Sequence, residues 1–201
     1  MEPTAIALSP SGLFAYVTAS GSSVNDLYAF TIDPTSGTLS SISGSPFATS
    51  ESEPQGLVVE PFGQFLYMTA ASNSVSTWVT DLSTGVPDQI ASSAESGGPV
   101  SVAVTPTDLF AYVANGSSSN VSGYAVGGNI GLDSLGAPFP AGSGPRWLSI
   151  DPSGDFVYVA NIGSNSVSAY KIESGSLVAV TGSPFAAGTN PDSIAITGLI
   201  K

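Results

Sequence analysis

The 201-residue sequence predicts an all-β protein built as a β-propeller of four-stranded antiparallel blades, and three observations support this fold class. Its apolar runs are short, rich in β-branched and aromatic residues, and bounded by Gly, Ser, Asn or Pro. A strand containing a central tyrosine recurs at intervals of 51, 45 and 46 residues. A proline that opens each repeat recurs at closely similar intervals. Periods of this length, with four strands in each, are typical of propeller blades.

Two sets of residues mark equivalent positions in the repeats. The tyrosines are Tyr16, Tyr67, Tyr112 and Tyr158, and the opening prolines are Pro3, Pro54, Pro99, Pro145 and Pro191. They predict one propeller domain, residues 1–201, with blades over about 3–53, 54–98, 99–144 and 145–190 and an extra strand over 191–201. The predicted total is 17 strands, because the first strand type occurs five times and each other type four times.

The fourth repeat shows the pattern most clearly. Strands are predicted over 147–151, 156–160, 166–172 and 177–180. Pro152-Ser153-Gly154 supplies the first turn, because proline presets φ and glycine relieves the exit. The equivalent second strand of the first repeat, 14–18, is apolar on both faces, which predicts burial on both sides.

Two repeats deviate from this pattern. The first is the longest, with its extra residues in loops around 20–26 and 33–37, where insertions cost little. In the second, residues 86–96 contain Pro87 and lack the Ser-Pro-Phe ending. They therefore predict a degenerate fourth strand at the outer edge of its sheet.

Composition excludes several kinds of partner and site. The formal net charge of −12, with three cationic residues, repels phosphate backbones and anionic lipid headgroups. No apolar run approaches the ~18 residues of a membrane span, so we expect neither nucleic-acid binding nor membrane insertion. The sequence has no cysteine and no histidine, which excludes disulfides and Ser-His or Cys-His catalysis within it. We expect no metal and no cofactor.

The start of the sequence has neither a basic region nor an apolar core, so it predicts no signal peptide in this chain. Few lysines, no cysteine and abundant Ser, Thr and Asn are typical of exported bacterial proteins, which suggests a secreted, cell-surface or periplasmic location. The glycosylation sequons at Asn115 and Asn120 are expected by chance in such a composition.

The second strands carry a resemblance to a known family. Tyr112-Val113-Ala114-Asn115 and Tyr158-Val159-Ala160-Asn161, each preceded by a Pro-Ser-Gly-type turn and followed by a Gly-Ser-Pro-Phe-type ending, resemble the YVTN-type β-propellers of the lactonase (6-phosphogluconolactonase-like) family. The resemblance implies seven blades and a ring closed by a final strand of the first type. This chain then resembles the C-terminal four blades of such a ring with its closing strand.

The resemblance also implies an activity, the opening of a lactone by water, with histidine, arginine and carboxylate groups around the central channel. The sequence has no histidine, and Arg146 is its single arginine. It therefore favours a non-catalytic scaffold for binding or surface interaction, without detectable hydrolysis of simple sugar lactones. The alternative is a lactonase-like hydrolase whose active-site blades are missing from this chain.

A ligand site is expected at the starts of the innermost strands. The residues that follow the opening prolines vary in chemistry while the surrounding pattern repeats: Thr4, Gln55, Val100, Arg146 and Asp192. Trp147 joins these candidates, although its apolar neighbours and those of Trp78 favour packing between blades over sugar stacking. The expected partner is a small carbohydrate-like ligand or a protein. An open arc of four blades would also self-associate through its unpaired faces.

Overall fold

A computed structural model of the chain describes residues 2–21, 25–127 and 131–197. Every regular element in these ranges is a β-strand. The described residues therefore include no helix long and apolar enough to cross a membrane. The chain divides into two compact units, Met1–Glu95 and Ser96–Lys201, each containing two antiparallel sheets. The predicted fold class, all-β with four-stranded blades, is confirmed. The single domain over 1–201 stays a prediction.

The first unit contains blades one and two. The strands of blade one are β1 (Glu2–Leu8), β2 (Phe14–Ser20), β3 (Asp26–Ile32), β4 (Leu39–Ser41) and β5 (Phe47–Ala48). Those of blade two are β6 (Pro54–Val59), β7 (Phe65–Ala70), β8 (Ser74–Thr80) and β9 (Pro87–Ala94). Strands pair in chain order within each blade, except that β5 pairs with β3.

The second unit contains blades three and four. The strands of blade three are β10 (Pro99–Val104), β11 (Phe110–Asn115), β12 (Asn120–Val126), β13 (Leu132–Ser134) and β14 (Phe139–Pro140). Those of blade four are β15 (Pro145–Ile150), β16 (Phe156–Asn161), β17 (Ser166–Glu173), β18 (Ser176–Ala179) and β19 (Phe185–Ala186). Pairing again follows chain order, with β14 beside β12 and β19 beside β17.

The four tyrosines occupy one equivalent register position, as predicted. In blade three, Tyr112 lies opposite Ala103 on β10 and Gly123 on β12. In blade four, Tyr158 lies opposite Ser149 on β15 and Ala169 on β17. The residues of β2 are mostly buried, which confirms that this strand packs on both faces.

The fourth strand is split in blades one, three and four. In blade one the Gly-Ser-Pro segment interrupts it, and the Ser45 hydroxyl accepts the Ala29 N–H at 3.1 Å in place of a strand carbonyl. The Ser183 hydroxyl does the same for Ala169 at 2.9 Å in blade four. Blade two lacks this segment, so the expectation of a degenerate strand there is wrong: β9 is continuous over eight residues. It does lie at the sheet edge, as predicted.

The turn between first and second strands is closed in the same way in every blade. The side-chain oxygen of the residue before the turn proline accepts the backbone N–H of a phenylalanine five residues later. The pairs are Ser9 with Phe14 (3.0 Å), Glu60 with Phe65 (3.0 Å), Thr105 with Phe110 (3.1 Å) and Asp151 with Phe156 (2.8 Å). Two different chemistries, hydroxyl and carboxylate, thus serve one structural role, that of a turn cap.

Each unit has an apolar core between its two blades. In the first unit, Leu57 and Val59 of β6 pack against a buried cluster that includes Tyr16 and Trp78. In the second unit, Leu148 and Ile150 of β15 pack in a cluster with Tyr112. The first strands of the two blades lie beside each other in both units, β1 with β6 and β10 with β15. The ends of these strands position the candidate site.

The described part of the predicted extra strand, residues 191–197, forms no strand, so that prediction is wrong for these residues. Residues 198–201 lie outside the described ranges. The segment contacts blade four through side chains: the Ser149 hydroxyl donates to the Ile194 carbonyl at 3.0 Å. A strand needs a ladder of backbone–backbone hydrogen bonds, whereas this bond joins a side chain to the backbone.

Candidate functional site

The candidate residues at the strand starts lie on β-bulges. Each first strand shifts register directly after its opening proline, between Pro3 and Ala5 in β1 and between Pro145 and Trp147 in β15. The same shift falls between Pro54 and Leu57 in β6 and between Pro99 and Ser101 in β10. The residues in these shifts are Thr4, Gln55 with Gly56, Val100 and Arg146. A bulge frees a side chain from the alternation of the strand and redirects it, which suits a ligand-contacting position.

In the first unit, the Thr4 side chain bonds within its own blade. The Thr4 hydroxyl lies 2.8 Å from the Thr18 hydroxyl of the neighbouring strand. Beside Gln55, the Gly56 N–H donates to the Thr69 hydroxyl at 2.8 Å and closes the bulge. Among the described residues no hydrogen bond joins Thr4 with Gln55. Their predicted role in ligand binding stays a prediction.

The second unit brings two candidates together. Arg146 Nε donates to Asp192 Oδ1 at 3.1 Å, and their side chains are 48% and 70% exposed. Asp192 follows Pro191 as Arg146 follows Pro145, so the two residues are equivalent positions in successive repeats. An exposed ion pair contributes little to stability, because water screens it. Its groups are therefore available to a ligand.

Trp147 lies next to this pair, on the surface. Its side chain is 40% exposed, whereas Trp78 is 2% exposed within the core of the first unit. Packing between blades is thus confirmed for Trp78 and wrong for Trp147. The reason is the bulge, which leaves both Arg146 and Trp147 exposed before Leu148 returns to the core. The apolar neighbours of Trp147 in the sequence do not reveal the bulge, which shifts the alternation of buried and exposed side chains.

Two serines that were not predicted from the sequence hold the strand that carries Arg146 and Trp147 and the segment that carries Asp192. Buried Ser101 on β10 accepts the Leu148 N–H at 3.2 Å through its hydroxyl. Ser149 holds the segment that carries Asp192, through the Ile194 carbonyl. Both serines interrupt apolar strand runs, which is the signal that could have identified them.

The chemistry of this surface is that of an anion or carbonyl site beside an aromatic face. A guanidinium donates hydrogen bonds to carbonyl or carboxylate oxygens in a fixed plane, and an indole stacks on the apolar face of a sugar. The carboxylate of Asp192 accepts hydrogen bonds from hydroxyl groups or water. We name these three residues, Arg146, Trp147 and Asp192, the Arg146 surface.

Acidic side chains elsewhere have structural roles. Backbone N–H groups and the hydroxyl of Ser36 hold the pKa of Asp33 below its ordinary value. Burial raises the pKa of Asp151, but hydrogen bonds from Ser153 and from backbone N–H groups outweigh it and leave the pKa lowered. In the described ranges no three His, Cys, Asp or Glu residues are grouped as a metal site would require.

Glu51 is a buried carboxylate in the loop that leads to blade two. Burial raises its pKa, but hydrogen bonds from Ser74, Ser92, Ser50 and Gln89 outweigh that effect, and the pKa is lowered. Glu51 and Gly142 are equivalent, since each lies three residues before an opening proline. Where blade four has Gly142, the amide of Asn161 fills the space, and a Cβ atom at Gly142 would lie 2.6 Å from its Nδ2. Blade two has Ala70 in place of Asn161, so Glu51 fills the equivalent space.

The sequence matches a known protein family, and the fold resembles solved structures. The family model described as "Lactonase, 7-bladed beta-propeller" matches residues 1–104 and 101–189. No curated protein matches the sequence. Solved structures that resemble it include a protein from Lactobacillus plantarum, with 19% identity over 95% of this chain and 57% of the other and a TM-score of 0.80.

Two further solved structures are similar. A candidate 6-phosphogluconolactonase from Bacteroides fragilis has 18% identity over 95% of this chain and 56% of its own, with a TM-score of 0.81. A functionally unknown protein from Desulfotomaculum acetoxidans has 14% identity over 97% and 59%, with a TM-score of 0.80. The chain spans less than two thirds of the length of these proteins, and at these identities the likeness shows the fold alone. Because the family model covers nearly all of the sequence, the chain belongs to the lactonase family of seven-bladed β-propellers.

Proposed function

We propose that this chain is part of a lactonase-type hydrolase that opens a sugar lactone, and that the Arg146 surface contacts the substrate. The observation that carries the proposal is the family match over 1–104 and 101–189. The similarity to the candidate 6-phosphogluconolactonase adds a substrate class, the lactone of a sugar acid. The hydrolase thus becomes the first candidate function, in place of the non-catalytic scaffold that the composition favours.

The residues of the Arg146 surface have separate roles in this reaction. The Arg146 guanidinium donates to the lactone carbonyl oxygen and stabilises the negative charge that develops when water attacks the carbonyl carbon. Asp192 orients that water and accepts its proton. The bond between the carbonyl carbon and the ring oxygen then breaks, and the ring oxygen leaves with the proton as a hydroxyl. Trp147 stacks against the sugar. In the free protein Arg146 and Asp192 satisfy each other, at 3.1 Å.

A second candidate function is a non-catalytic scaffold that binds a small carbohydrate-like ligand or a protein. The sequence favours it through the absence of histidine, since a carboxylate with an ordinary pKa of about 3.9 is a weak base near neutrality. In this case the Arg146 surface would bind a sugar acid and leave it unchanged.

The test measures acid release from glucono-1,5-lactone and its 6-phosphate, after subtraction of the spontaneous rate. The variants are Arg146→Gln and Asp192→Asn, and the matched control is Lys171→Gln, which breaks a second exposed ion pair, Lys171–Glu173 at 3.0 Å. We expect catalysed hydrolysis that falls at least about tenfold in both variants and is unchanged in the control. Rates equal to the spontaneous rate would overturn the hydrolase, and catalysed rates unaffected by Arg146→Gln would overturn the role of the Arg146 surface. Binding without turnover would favour the scaffold.

A further inference from the structure

Blade two carries an exposed aromatic side chain that the blade architecture does not require. The residue after the turn proline is Ser11, Thr107 or Ser153 in the other three blades and Phe62 in blade two. In those blades its hydroxyl bonds to the turn cap: Ser11 lies 2.9 Å from the Ser9 hydroxyl, and Thr107 donates to Thr105 at 3.2 Å. Ser153 donates to Asp151. Phe62 makes no such bond, and its side chain is 71% exposed.

A second exposed apolar residue lies beside it. Leu82, in the turn between β8 and β9, takes the place that Pro34 has in blade one. A Cβ atom on Gly63 would lie 3.6 Å from Leu82 Cδ2, so the Phe62 turn and the Leu82 turn of blade two lie side by side. It would lie 3.3 Å from Pro10 Cδ, so the first turn of blade one is also close. Phe62 and Leu82 line a cavity of about 210 Å3, whose other side is the first turn of blade one, with Pro10 and Phe14. We name this cavity, with Asp81 at its side, the Phe62 groove.

Asp81 supplies a negative charge to the groove. Its Oδ1 accepts the N–H groups of Ser83 at 2.8 Å and Thr84 at 2.9 Å, which fixes the carboxylate at the turn. Hydrogen bonds from the Ser83 hydroxyl and these N–H groups lower the pKa of Asp81 to about 2, so it is ionised at neutral pH. None of the described cations pairs with it. A second cavity of about 500 Å3 shares Thr80 and Asp81 and adds Asp88.

Shape and charge together select one kind of occupant. About 210 Å3 is below the range of roughly 300–1,000 Å3 that is typical of small-molecule pockets, but it accommodates a single long side chain. An arginine suits both the aromatic Phe62 and the charge of Asp81, since its guanidinium stacks on an aromatic ring and pairs with a carboxylate. The net charge of −12 draws a basic partner to this protein.

We propose that the Phe62 groove docks an arginine, flanked by apolar residues, from a segment of a partner protein. The guanidinium lies over the Phe62 ring and pairs with Asp81, and the flanking residues contact Leu82 and the second cavity. This site shares no residue with the Arg146 surface, because its residues belong to the first unit and those of the Arg146 surface to the second.

The test follows backbone amide shifts by NMR while the peptide acetyl-Gly-Leu-Arg-Leu-Gly-amide is added to the full chain. We expect saturable shifts at residues 62–64 and 80–83 with a Kd of about 1 mM or tighter. Phe62→Ser, which restores the residue of blades one and four, weakens binding at least about fivefold. Asp81→Asn keeps an oxygen for the turn and reduces the salt dependence of binding. The matched control, Leu109→Ser, removes an exposed turn leucine of blade three and leaves binding unchanged.

Several outcomes would overturn the proposal. They are equal binding of a peptide with glutamine in place of arginine, wild-type affinity in Phe62→Ser, and shifts that occur only outside the groove. Shifts that depend on protein concentration without peptide would show instead that the groove takes a second copy of this chain. Absence of any shift at several millimolar peptide would also refute it.

Discussion

The hydroxyl of Tyr112 in blade three donates a hydrogen bond to the carbonyl oxygen of Gly175 in blade four, at 3.0 Å. The same bond joins Tyr16 of blade one to Gly85 of blade two, at 2.9 Å. In both units, therefore, the second-strand tyrosine reaches the turn between third and fourth strands of the next blade. The repeated tyrosine spacing reflects a repeated contact between blades.

Removing this contact should destabilise the second unit. Tyr112 is fully buried, so we expect Tyr112→Ala to lower the free energy of unfolding by about 3–5 kcal/mol. Tyr112→Phe keeps the ring but leaves the Gly175 carbonyl without its donor, at a cost of about 1–3 kcal/mol. Urea melts measure both. Tyr158→Ala is the control, since Tyr158 is half-buried and should cost less. A loss below about 1 kcal/mol for Tyr112→Ala would contradict the burial.

Burial of the same tyrosines predicts an alkaline loss of stability. Burial raises the pKa of Tyr16 and of Tyr112 to about 12. In the unfolded chain these groups ionise near pH 10, their ordinary pKa. The folded state thus holds more protons between about pH 10 and 12, and stability is intact below this window and falls within it. Urea melts across the window should show the decline, reduced in Tyr112→Phe. An unchanged slope in that variant would refute the linkage.

The repeats predicted the blades because strand pattern, turn residues and spacing all follow from local chemistry. Sequence reasoning failed where one position changes the geometry. The bulge after Pro145 exposes Trp147, and the missing Gly-Ser-Pro segment in blade two allows a continuous β9. The ion pair of Arg146 with Asp192 was not foreseen either, although both were candidates, because spacing gives equivalent positions and no distances.

Because the Asn161 amide occupies the space beside Gly142, substitutions at these two positions should be energetically coupled. Gly142→Ala places a Cβ atom 2.6 Å from Asn161 Nδ2 and from Ser164 Oγ, so we expect a loss of about 1–3 kcal/mol. Asn161→Ala makes room for it, and the double variant should lose less than the sum of the two single variants, by about 0.5–3 kcal/mol. Urea melts of the four proteins complete the cycle.

Gly188→Ala is the control for this pair. Gly188 holds the equivalent loop position after blade four, where a Cβ atom would have no neighbour within 4 Å. We expect it to change stability by less than about 0.5 kcal/mol. Additive single effects in the cycle would show that Gly142 and Asn161 do not share one space.

Exposed residues on β1 predict self-association. Ile6 and Leu8 are 63% and 58% exposed, although their equivalents in β6, Leu57 and Val59, pack against a neighbouring blade. We expect light scattering to show a mass that rises with concentration, and Ile6→Thr with Leu8→Thr to reduce the rise. A dilution-stable monomer with a radius of ~17 Å would contradict this prediction.

Trp147 fluorescence tests the central claim, that the Arg146 surface of this lactonase-family propeller binds a sugar acid or its lactone. Gluconate and 6-phosphogluconate, the hydrolysis products, are added to the chain, and tryptophan emission is followed to saturation. Exposed Trp147 should respond and buried Trp78 should not, so Trp147→Phe abolishes the change and Arg146→Gln weakens binding at least about tenfold. Emission that does not saturate, or that changes equally in Trp147→Phe, would contradict the claim.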